Sequence, residues 1–385
     1  MTNRKKKEVL ICTSALQVLS AKSAMDYDKI SNKSEKYVII CHPLLTTNSI
    51  KYIVKISKKL NFLQPICLVD EIREMQNEMN ILKKKYGISN FFKKIDLIYL
   101  IQQKYIAIIN NKISEIVGKP DVIYIRKNYK YLDTLFLSAF KSADVIQIDD
   151  GWGDNLSKFW FVKEFNFYEL KVKLKSLIKK IILHLIFFVF KNSLLQGKKS
   201  LYFFKPQIKK KFSIVEDRKS INIKGQFLDN IKILSSTINT ISDIKILILG
   251  TTIEKKLKYS IKDETKVYNK LIEKIKISFG VRNNEIFYKC HPRVNKDDWT
   301  YKTNNLNCEI LDYYNDDISE SYLLSPGLKA VFSFGSSSLF HAHILSIKSY
   351  LVYFKQKLRH RSDNEKYLSI AKKFNMNIMY IDLKE

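Results

Sequence analysis

The sequence lacks the cysteine patterns that mark zinc-binding and disulfide-rich proteins. Its 385 residues include only five cysteines, and no two of them form a C-x-x-C pair. Neither a structural zinc site nor a disulfide framework is therefore indicated. Cys12, Cys41 and Cys67 lie in apolar runs, and we interpret them as small buried residues. This use of cysteine favours a reducing compartment, so we expect a cytoplasmic protein.

Several motifs of known chemistry are also missing. The sequence has no P-loop ending, no H-E-x-x-H zinc motif and no G-x-S-x-G turn, and no G-x-G-x-x-G follows a predicted strand. His341 and His343 stand two residues apart, but no third ligand has suitable spacing, so we expect no metal. The basic N-terminus precedes an apolar run of only strand length, Val9 to Cys12, which does not match a secretory signal peptide.

Positive charge is what the sequence has in excess. Lysine and arginine number 67 against 38 aspartate and glutamate residues, which gives a formal net charge of +29. A charge of this size indicates nucleic acid, anionic lipid or an anionic substrate as a partner. The alternative is a compositional bias, because Lys, Ile and Asn are used heavily throughout the chain.

The densest basic stretch is residues 171–211, which we call the basic segment. It holds 12 lysines and no acidic residue, and it contains the apolar run IILHLIFFVF at 181–190. A bilayer span takes about 20 apolar residues, so this run is too short to cross a membrane. We expect a helix that lies on an anionic membrane surface, with a buried helix as the alternative.

Short apolar runs alternate with helix-like stretches, which predicts βαβ units and parallel sheets. The fold class expected is α/β, with two Rossmann-like parallel-sheet domains facing a cleft, the GT-B arrangement of glycosyltransferases. We place an N-terminal domain at 1–240, including the basic segment, and a C-terminal domain at 241–385. The predicted strands are 9–13, 37–41, 65–69, 97–100, 121–125, 144–148, 245–250, 285–290, 330–335, 349–354 and 377–382.

An acidic motif, Asp149-Asp150-Gly151, follows the predicted strand 144–148. Ligands of parallel sheets bind beyond the carboxyl ends of the strands, so this is a favoured position for chemistry. Adjacent carboxylates repel each other, and partial burial raises one pKa, which favours a general base. Gly151 permits a tight turn and the close approach of a ligand. Asp-Asp-Gly is also an ordinary turn, which remains the simpler interpretation.

A second motif, His291-Pro292-Arg293, follows the predicted strand 285–290. The proline fixes the backbone directly after the histidine, so the imidazole leaves the strand in a set direction. Arg293 adds a permanent cation, and the motif predicts a site for an anion or a leaving group. His42 also precedes a proline after a strand, and we interpret it as unrelated to the chemistry.

A third motif, Ser336-Ser337-Ser338, lies between the predicted strand 330–335 and a helix. The free N–H groups of a helix N-terminus, the hydroxyls and the helix dipole together favour an anion. A simple helix cap would explain one serine but not three. Gly250-Thr251-Thr252 ends the first strand of the second series, as a phosphate-binding loop or merely a turn.

Together these motifs resemble those of the bacterial sialyltransferases, which carry a (D/E)(D/E)G motif, an HP motif and a serine motif in that order. The segment 12–17, Cys-Thr-Ser-Ala-Leu-Gln, is similar to the opening strand and loop of such enzymes. The long gap between the acidic and HP motifs looks most like that of the capsule polysialyltransferases.

The resemblance implies an inverting, metal-independent transferase that moves sialic acid from CMP-sialic acid to a bacterial glycan. The acceptor would be anionic or galactose-ended, in capsule polysaccharide or lipooligosaccharide, and the enzyme would lie on the inner face of the cytoplasmic membrane. Asp149 would be the general base, with Asp150 as the alternative, and His291 would protonate or stabilise the leaving phosphate. Gln17 and Gly151 would lie on the acceptor side. The donor phosphate would contact Gly250, Thr251, Thr252, Pro292, Arg293, Ser336, Ser337 and Ser338.

Three other functions remain open at this stage. The chain would be another GT-B glycosyltransferase with a different nucleotide-sugar donor, a nucleic-acid-binding protein, or a non-catalytic membrane scaffold. No recognised nucleic-acid motif occurs, so we expect no nucleic-acid partner. A scaffold would leave the three motifs after strands unexplained. We expect no cofactor besides the donor substrate.

Overall fold

Two parallel β-sheets organise the chain, one in each half of the sequence. Every strand pairing described in either sheet is parallel, so each connection must cross over, and helices make most of these crossovers. The structure is a computed structural model that describes residues 4–28, 34–43, 45–85, 91–126, 136–149, 207–214, 220–236, 244–251, 260–291, 294, 296–311, 318–354 and 361–382.

The first sheet has seven strands. They are β1 (Lys6–Cys12), β2 (Ser34–Ile40), β3 (Ile66–Cys67), β4 (Val122–Arg126), β5 (Asp144–Ile148), β6 (Ile208–Ser213) and β7 (Ile221–Asn222). Their spatial order is β3-β2-β1-β4-β5-β6-β7. The central strand β1 is buried from Val9 to Cys12, as is typical of a parallel strand covered on both faces.

Helices cover both faces of the first sheet. They are α1 (Ala15–Tyr27), α2 (Thr47–Lys59), α3 (Val69–Lys85), α4 (Phe91–Ile116) and α5 (Lys224–Ser236). Helices α1, α2 and α5 share one hydrophobic core with the sheet, and α3 and α4 share the core on the opposite face. The sheet is therefore the middle layer of three.

The second sheet has six strands. They are β8 (Ile246–Leu249), β9 (Ile286–Lys289), β10 (Glu309–Ile310), β11 (Ala330–Ser333), β12 (Ser349–Phe354) and β13 (Asn377–Ile381), in the spatial order β10-β9-β8-β11-β12-β13. Its helices are α6 (Ile261–Phe279), α7 (Lys296–Asn305), α8 (Ser337–Ile344) and α9 (Arg361–Lys373). Two hydrophobic cores again lie on its two faces.

Helix α6 is fixed at both ends by its sequence. Ser260 and Asp263 form a capping box, in which the Ser260 hydroxyl oxygen accepts a hydrogen bond from the Asp263 N–H at 3.2 Å. The helix ends at Gly280, whose φ of 61° is the left-handed conformation that favours glycine. The register of α6 along the sheet is thus set locally, and this helix supplies two buried side chains near the site described below.

The topology confirms the predicted α/β fold with two Rossmann-like parallel sheets. The division of the chain at 240 falls between α5 and β8, within residues outside the described ranges, and stays a prediction. Within the described residues, no helix has the length and apolar character needed to cross a membrane.

The prediction of a strand at 97–100 is wrong, because these residues lie inside helix α4. The buried positions of this helix, Ile98, Gln102, Tyr105, Ile109 and Ile113, recur every three or four residues, which is the period of a helix packed on one side. A run of four apolar residues is too short to show this period, and only one of the four, Ile98, is buried.

Two smaller expectations also need correction. Cys67 is exposed, because β3 has only two residues and lies at the edge of the sheet, whereas Cys12 and Cys41 are buried as predicted. The end of the basic segment is not helical: Ile208–Ser213 forms β6. Residues 171–206 lie outside the described residues, so the membrane-surface helix stays a prediction.

Helix α4 gives a direct test of the corrected assignment. Replacing Leu100, which is 55% exposed, with alanine should change the free energy of unfolding by less than about 0.5 kcal/mol. Replacing Ile109, which is 0% exposed, should lower it by about 2–5 kcal/mol. Urea denaturation of both variants measures the difference. A large loss for L100A would support a buried strand at 97–100 instead.

Candidate functional site

Asp149 lies directly after β5, at the carboxyl edge of the first sheet. Its backbone N–H donates to the Phe212 carbonyl at 3.1 Å, and its Oδ2 accepts a hydrogen bond from the Ser213 hydroxyl at 2.8 Å. The side chain is 3% exposed, so strand β6 sets the orientation of the carboxylate. Its neighbours Asp150 and Gly151 lie outside the described residues, and their assigned roles stay predictions.

Gln17 lies at the same edge of the first sheet, in the first turn of α1 after β1. Its Oε1 accepts hydrogen bonds from the backbone N–H of Thr13 at 2.7 Å and from the Thr13 hydroxyl at 3.1 Å. The side chain is buried, so this amide holds the turn between strand and helix. Contact with an acceptor stays a prediction for Gln17.

The second sheet brings three of the predicted motifs together. Its strands β9, β8 and β11 are immediate neighbours, and Leu249 lies opposite both Lys289 and Ser333. The three strands therefore end at the same level of the sheet, just before Thr251, His291 and Ser336. Loops at the carboxyl ends of adjacent parallel strands form the usual ligand site of such sheets.

The turn after β8 is packed tightly against β9. The Gly250 N–H donates to the Lys289 carbonyl at 2.8 Å, which extends the ladder by one residue. A Cβ atom at Gly250 would lie 2.5 Å from the Tyr288 hydroxyl, so only glycine fits here. The next residue, Thr251, is 5% exposed, and its hydroxyl oxygen lacks a hydrogen bond of normal geometry among the described residues. Thr252 lies outside the described residues.

His291 follows β9 and is partly exposed. Its carbonyl accepts a hydrogen bond from the Val294 N–H at 2.9 Å. Pro292 and Arg293 themselves are outside the described residues. Burial raises the pKa of the preceding Cys290 thiol to about 11, so this cysteine stays protonated at neutral pH and is a poor nucleophile.

The serine motif starts helix α8. Ser336 is the N-cap, and its hydroxyl oxygen accepts a hydrogen bond from the Ser338 N–H at 3.3 Å. The residue before Ser336, Gly335, has a φ of 129°, and a Cβ atom there would lie 2.6 Å from the Tyr367 ring. Backbone conformation and close packing therefore both require glycine at this turn.

Ser333 is a buried residue of the site that sequence reasoning missed. Its hydroxyl donates to the Leu249 carbonyl at 3.0 Å and accepts from the N–H groups of Gly335 and Ser336 at 3.3 and 3.1 Å. One side chain thus ties β11 to β8 and shapes the turn into α8. A lone serine inside the apolar run AVFSFG was the only sequence signal for it.

The third serine of the motif points toward a buried acid. Ser338 is 8% exposed and hydrogen-bonds with Glu320, and Nδ1 of His341 lies 2.8 Å from Glu320 Oε1. Burial raises the pKa of Glu320, but these partners outweigh burial and lower it. The His341 ring packs against the Phe227 ring of α5, with centroids 5.1 Å apart and planes tilted by 57°, so this contact joins α8 to α5. No group of three or more His, Cys, Asp and Glu side chains in the described ranges is placed to hold a metal ion.

Thr251, His291 and Ser336 therefore meet at one edge of the second sheet, whereas Asp149 and Gln17 lie at the carboxyl edge of the first. Sequence reasoning also missed Ser213, which orients Asp149 from β6. The sequence of β6 is part of a lysine-rich run, and nothing in it indicates a contact with the acidic motif.

Comparison with known proteins identifies a family. The sequence model of the family described as alpha-2,8-polysialyltransferase (POLYST) matches residues 8–353. A search of curated proteins gave no match. Among solved structures, the S. aureus MnaA–UDP complex matches with a TM-score of 0.49 and 11% identity, over 96% of this chain and 88% of that one. E. coli heptosyltransferase WaaC with ADP-2-deoxy-2-fluoro heptose matches with a TM-score of 0.42 and 9% identity, over 97% of this chain and 92% of that one. At this similarity the two structures carry no functional argument.

The packing of Gly250 on Tyr288 gives a testable expectation. Gly250→Ala should lower the free energy of unfolding by about 1–3 kcal/mol, because the added methyl group displaces the tyrosine hydroxyl. Gly225→Ala is the matched control, since a Cβ atom there meets nothing within 4 Å, and it should leave stability unchanged or raise it by up to about 1 kcal/mol. Equal urea midpoints for the two variants would contradict the close contact.

Proposed function

Because the chain belongs to the alpha-2,8-polysialyltransferase family, we propose that it is an inverting sialyltransferase with CMP-sialic acid as its donor. The observation that carries this proposal is the meeting of Thr251, His291 and Ser336 at one edge of the second sheet. Each of these residues suits the phosphate of a nucleotide sugar. Asp149, at the carboxyl edge of the other sheet, is the candidate base for the acceptor.

In the proposed reaction, an acceptor hydroxyl attacks the anomeric carbon of the donor sialic acid. Asp149 takes the proton of that hydroxyl as the new C–O bond forms. The bond between the anomeric carbon and the phosphate oxygen breaks, and its electron pair leaves with CMP. His291 donates a hydrogen bond or a proton to that oxygen. A single displacement inverts the configuration and needs no covalent intermediate.

The donor phosphate is proposed to bind between the turns after β8, β9 and β11. The Thr251 hydroxyl is buried there without a hydrogen bond of normal geometry among the described residues, and the N-terminus of α8 carries the positive end of a helix dipole. His291 and Arg293 add cationic or hydrogen-bonding groups for the leaving group. These groups neutralise the phosphate in the proposal without a metal.

The proposed acceptor is an anionic or galactose-ended glycan of capsule polysaccharide or lipooligosaccharide. The membrane contact predicted for the basic segment would place the enzyme on the inner face of the cytoplasmic membrane. The positive net charge of +29 favours both the anionic donor and an anionic acceptor.

Release of CMP from CMP-sialic acid tests the proposal. The wild-type protein should release CMP in the presence of sialylated or galactose-ended acceptors, and EDTA should leave the rate unchanged. Asp149→Asn keeps the size of the side chain and an acceptor for the Ser213 hydroxyl, so it should fold and lower kcat by about 10²–10⁴-fold. His291→Ala should lower kcat by a similar factor.

Each variant has a matched control. Asp144 lies at the opposite end of the same strand and pairs with Lys209 at 2.6 Å, so Asp144→Asn should keep near wild-type activity. His42 is the other histidine before a proline, and His42→Ala should also remain active. Full activity of both Asp149→Asn and His291→Ala, or inactivity of the wild type on every acceptor, would overturn the mechanism. Competition by UDP or GDP in place of CMP would indicate another donor.

A further inference from the structure

A cluster of four fully buried polar side chains lies beneath the turns after β8 and β9. It consists of Glu264 and Tyr268 from α6, Tyr288 from β9 and Lys302 from α7, and we call it the Lys302 cluster. Each side chain is at most 1% exposed. None of the four is among the candidate site residues predicted from the sequence.

Lys302 connects the members of the cluster. Its Nζ donates to Glu264 Oε1 at 2.8 Å and to the Tyr288 hydroxyl oxygen at 3.2 Å. The same ammonium lies 5.8 Å from the Tyr268 ring centroid and 5.5 Å from that of Tyr288, within range of a cation–π interaction. The two rings meet edge to face, with centroids 4.9 Å apart. The Lys302 side chain is 1% exposed, so its ammonium is buried among these contacts.

The cluster contacts the turn after β8 and includes a residue of β9, the strand that leads to His291. The Tyr268 hydroxyl oxygen accepts a hydrogen bond from the Thr251 N–H at 3.1 Å. The Tyr288 hydroxyl lies against Gly250, and Tyr288 itself is three residues before His291 in the same strand and turn. One rigid group of side chains thus fixes the backbone of the threonine turn and the strand that ends at the histidine.

A buried ion pair is a poor way to gain stability alone. Removing two charges from water has a large desolvation cost, and replacement by apolar groups of similar size is often neutral or stabilising. Burial also raises the pKa of Tyr268 and Tyr288, so both hydroxyls stay protonated and neutral. The pair therefore needs another explanation, and its contacts with the two turns supply one.

We propose that Lys302 and Glu264 are positioning residues that hold the Thr251 turn and the His291 strand at the spacing required by the donor phosphate. Lys302 acts through Tyr288, and Glu264 holds the ammonium in place. This inference rests on the proposed function, because the phosphate is that of the proposed nucleotide-sugar donor. We expect the cluster to affect binding and reaction of the donor, and to leave binding of the acceptor unchanged.

The test replaces the ion pair with neutral side chains of similar size. Lys302→Met alone would leave a buried unpaired carboxylate, so the variant used is the double substitution Glu264→Gln with Lys302→Met. It should raise the KM for CMP-sialic acid or lower kcat by about 10- to 100-fold in total, because a small misplacement of reacting groups has effects of this size. The KM for the acceptor should stay within about twofold of wild type, since only the donor side is displaced.

An ion pair at the opposite end of β8 and β9 is the control. Lys245 and Glu285 form an ion pair at the amino edge of the second sheet, next to β8 and β9 but at the far end from the proposed site. The double substitution Lys245→Met with Glu285→Gln makes the same chemical change at this more exposed pair. It should leave both KM values and kcat near wild type, because it does not touch the turns.

A third variant keeps the proposal testable if the first double variant does not fold. Tyr288→Phe removes one oxygen and leaves the Lys302–Glu264 pair intact, and it should show the same loss in donor use with an unchanged acceptor KM. Circular dichroism and thermal unfolding confirm that each variant is folded.

The outcomes separate the two proposals. An active wild type whose folded cluster variants keep wild-type donor kinetics would overturn the positioning role and leave the sialyltransferase function standing. A wild type that uses another nucleotide sugar would overturn the proposed donor, and the same comparison of KM values for that sugar would decide the role of the cluster. A wild type without any transferase activity would overturn both.

Discussion

The parallel register of β9, β8 and β11 is the constraint on which the candidate site depends. Leu249 lies between Lys289 and Ser333, so the three strands end at the same level of the second sheet. A slip of one residue in any strand would turn its side chains to the opposite face. It would move Tyr288 away from α6 and shift His291 relative to its neighbours. The Ser333 hydroxyl and the Gly250 N–H each add a hydrogen bond that holds this register at the very edge.

The serine motif shows how capping and ligand binding share the same atoms. The Ser336 oxygen accepts from the Ser338 N–H, but a hydroxyl that accepts one hydrogen bond still has a proton to donate. Ser338 is turned toward Glu320, so its hydroxyl serves the interior rather than the open end of α8. An anion at this helix would therefore depend on the backbone N–H groups, Ser336 and Ser337 more than on three equivalent hydroxyls.

Long apolar runs made the sheets predictable, because a strand buried on both faces has few polar residues. The same reasoning failed in α4, where a short apolar run belongs to a helix, because such a run is too short to show the helical period. It also failed where a strand is polar. Strand β6 carries Lys209, Lys210 and Lys211 on its exposed part, so its sequence resembles a solvated segment. Lys302 was unpredictable for the opposite reason. It lies in the polar helix KDDWTYKTNN, where nothing local indicates that α6 and β9 bury its ammonium.

Part of the net charge of +29 lies on lysines that form ion pairs within the fold, which composition alone does not reveal. Lys209 and Lys210 pair with Asp144 and Asp28 at 2.6 and 2.7 Å, so part of the basic segment is neutralised within the first sheet. Both pairs are partly exposed and contribute little to stability, and both involve strand β6, which lies between β5 and the edge strand β7. That strand in turn delivers Ser213 to Asp149. The lysines at the end of the segment are therefore partly neutralised, and only the remaining charge is available to attract anionic substrates or lipids.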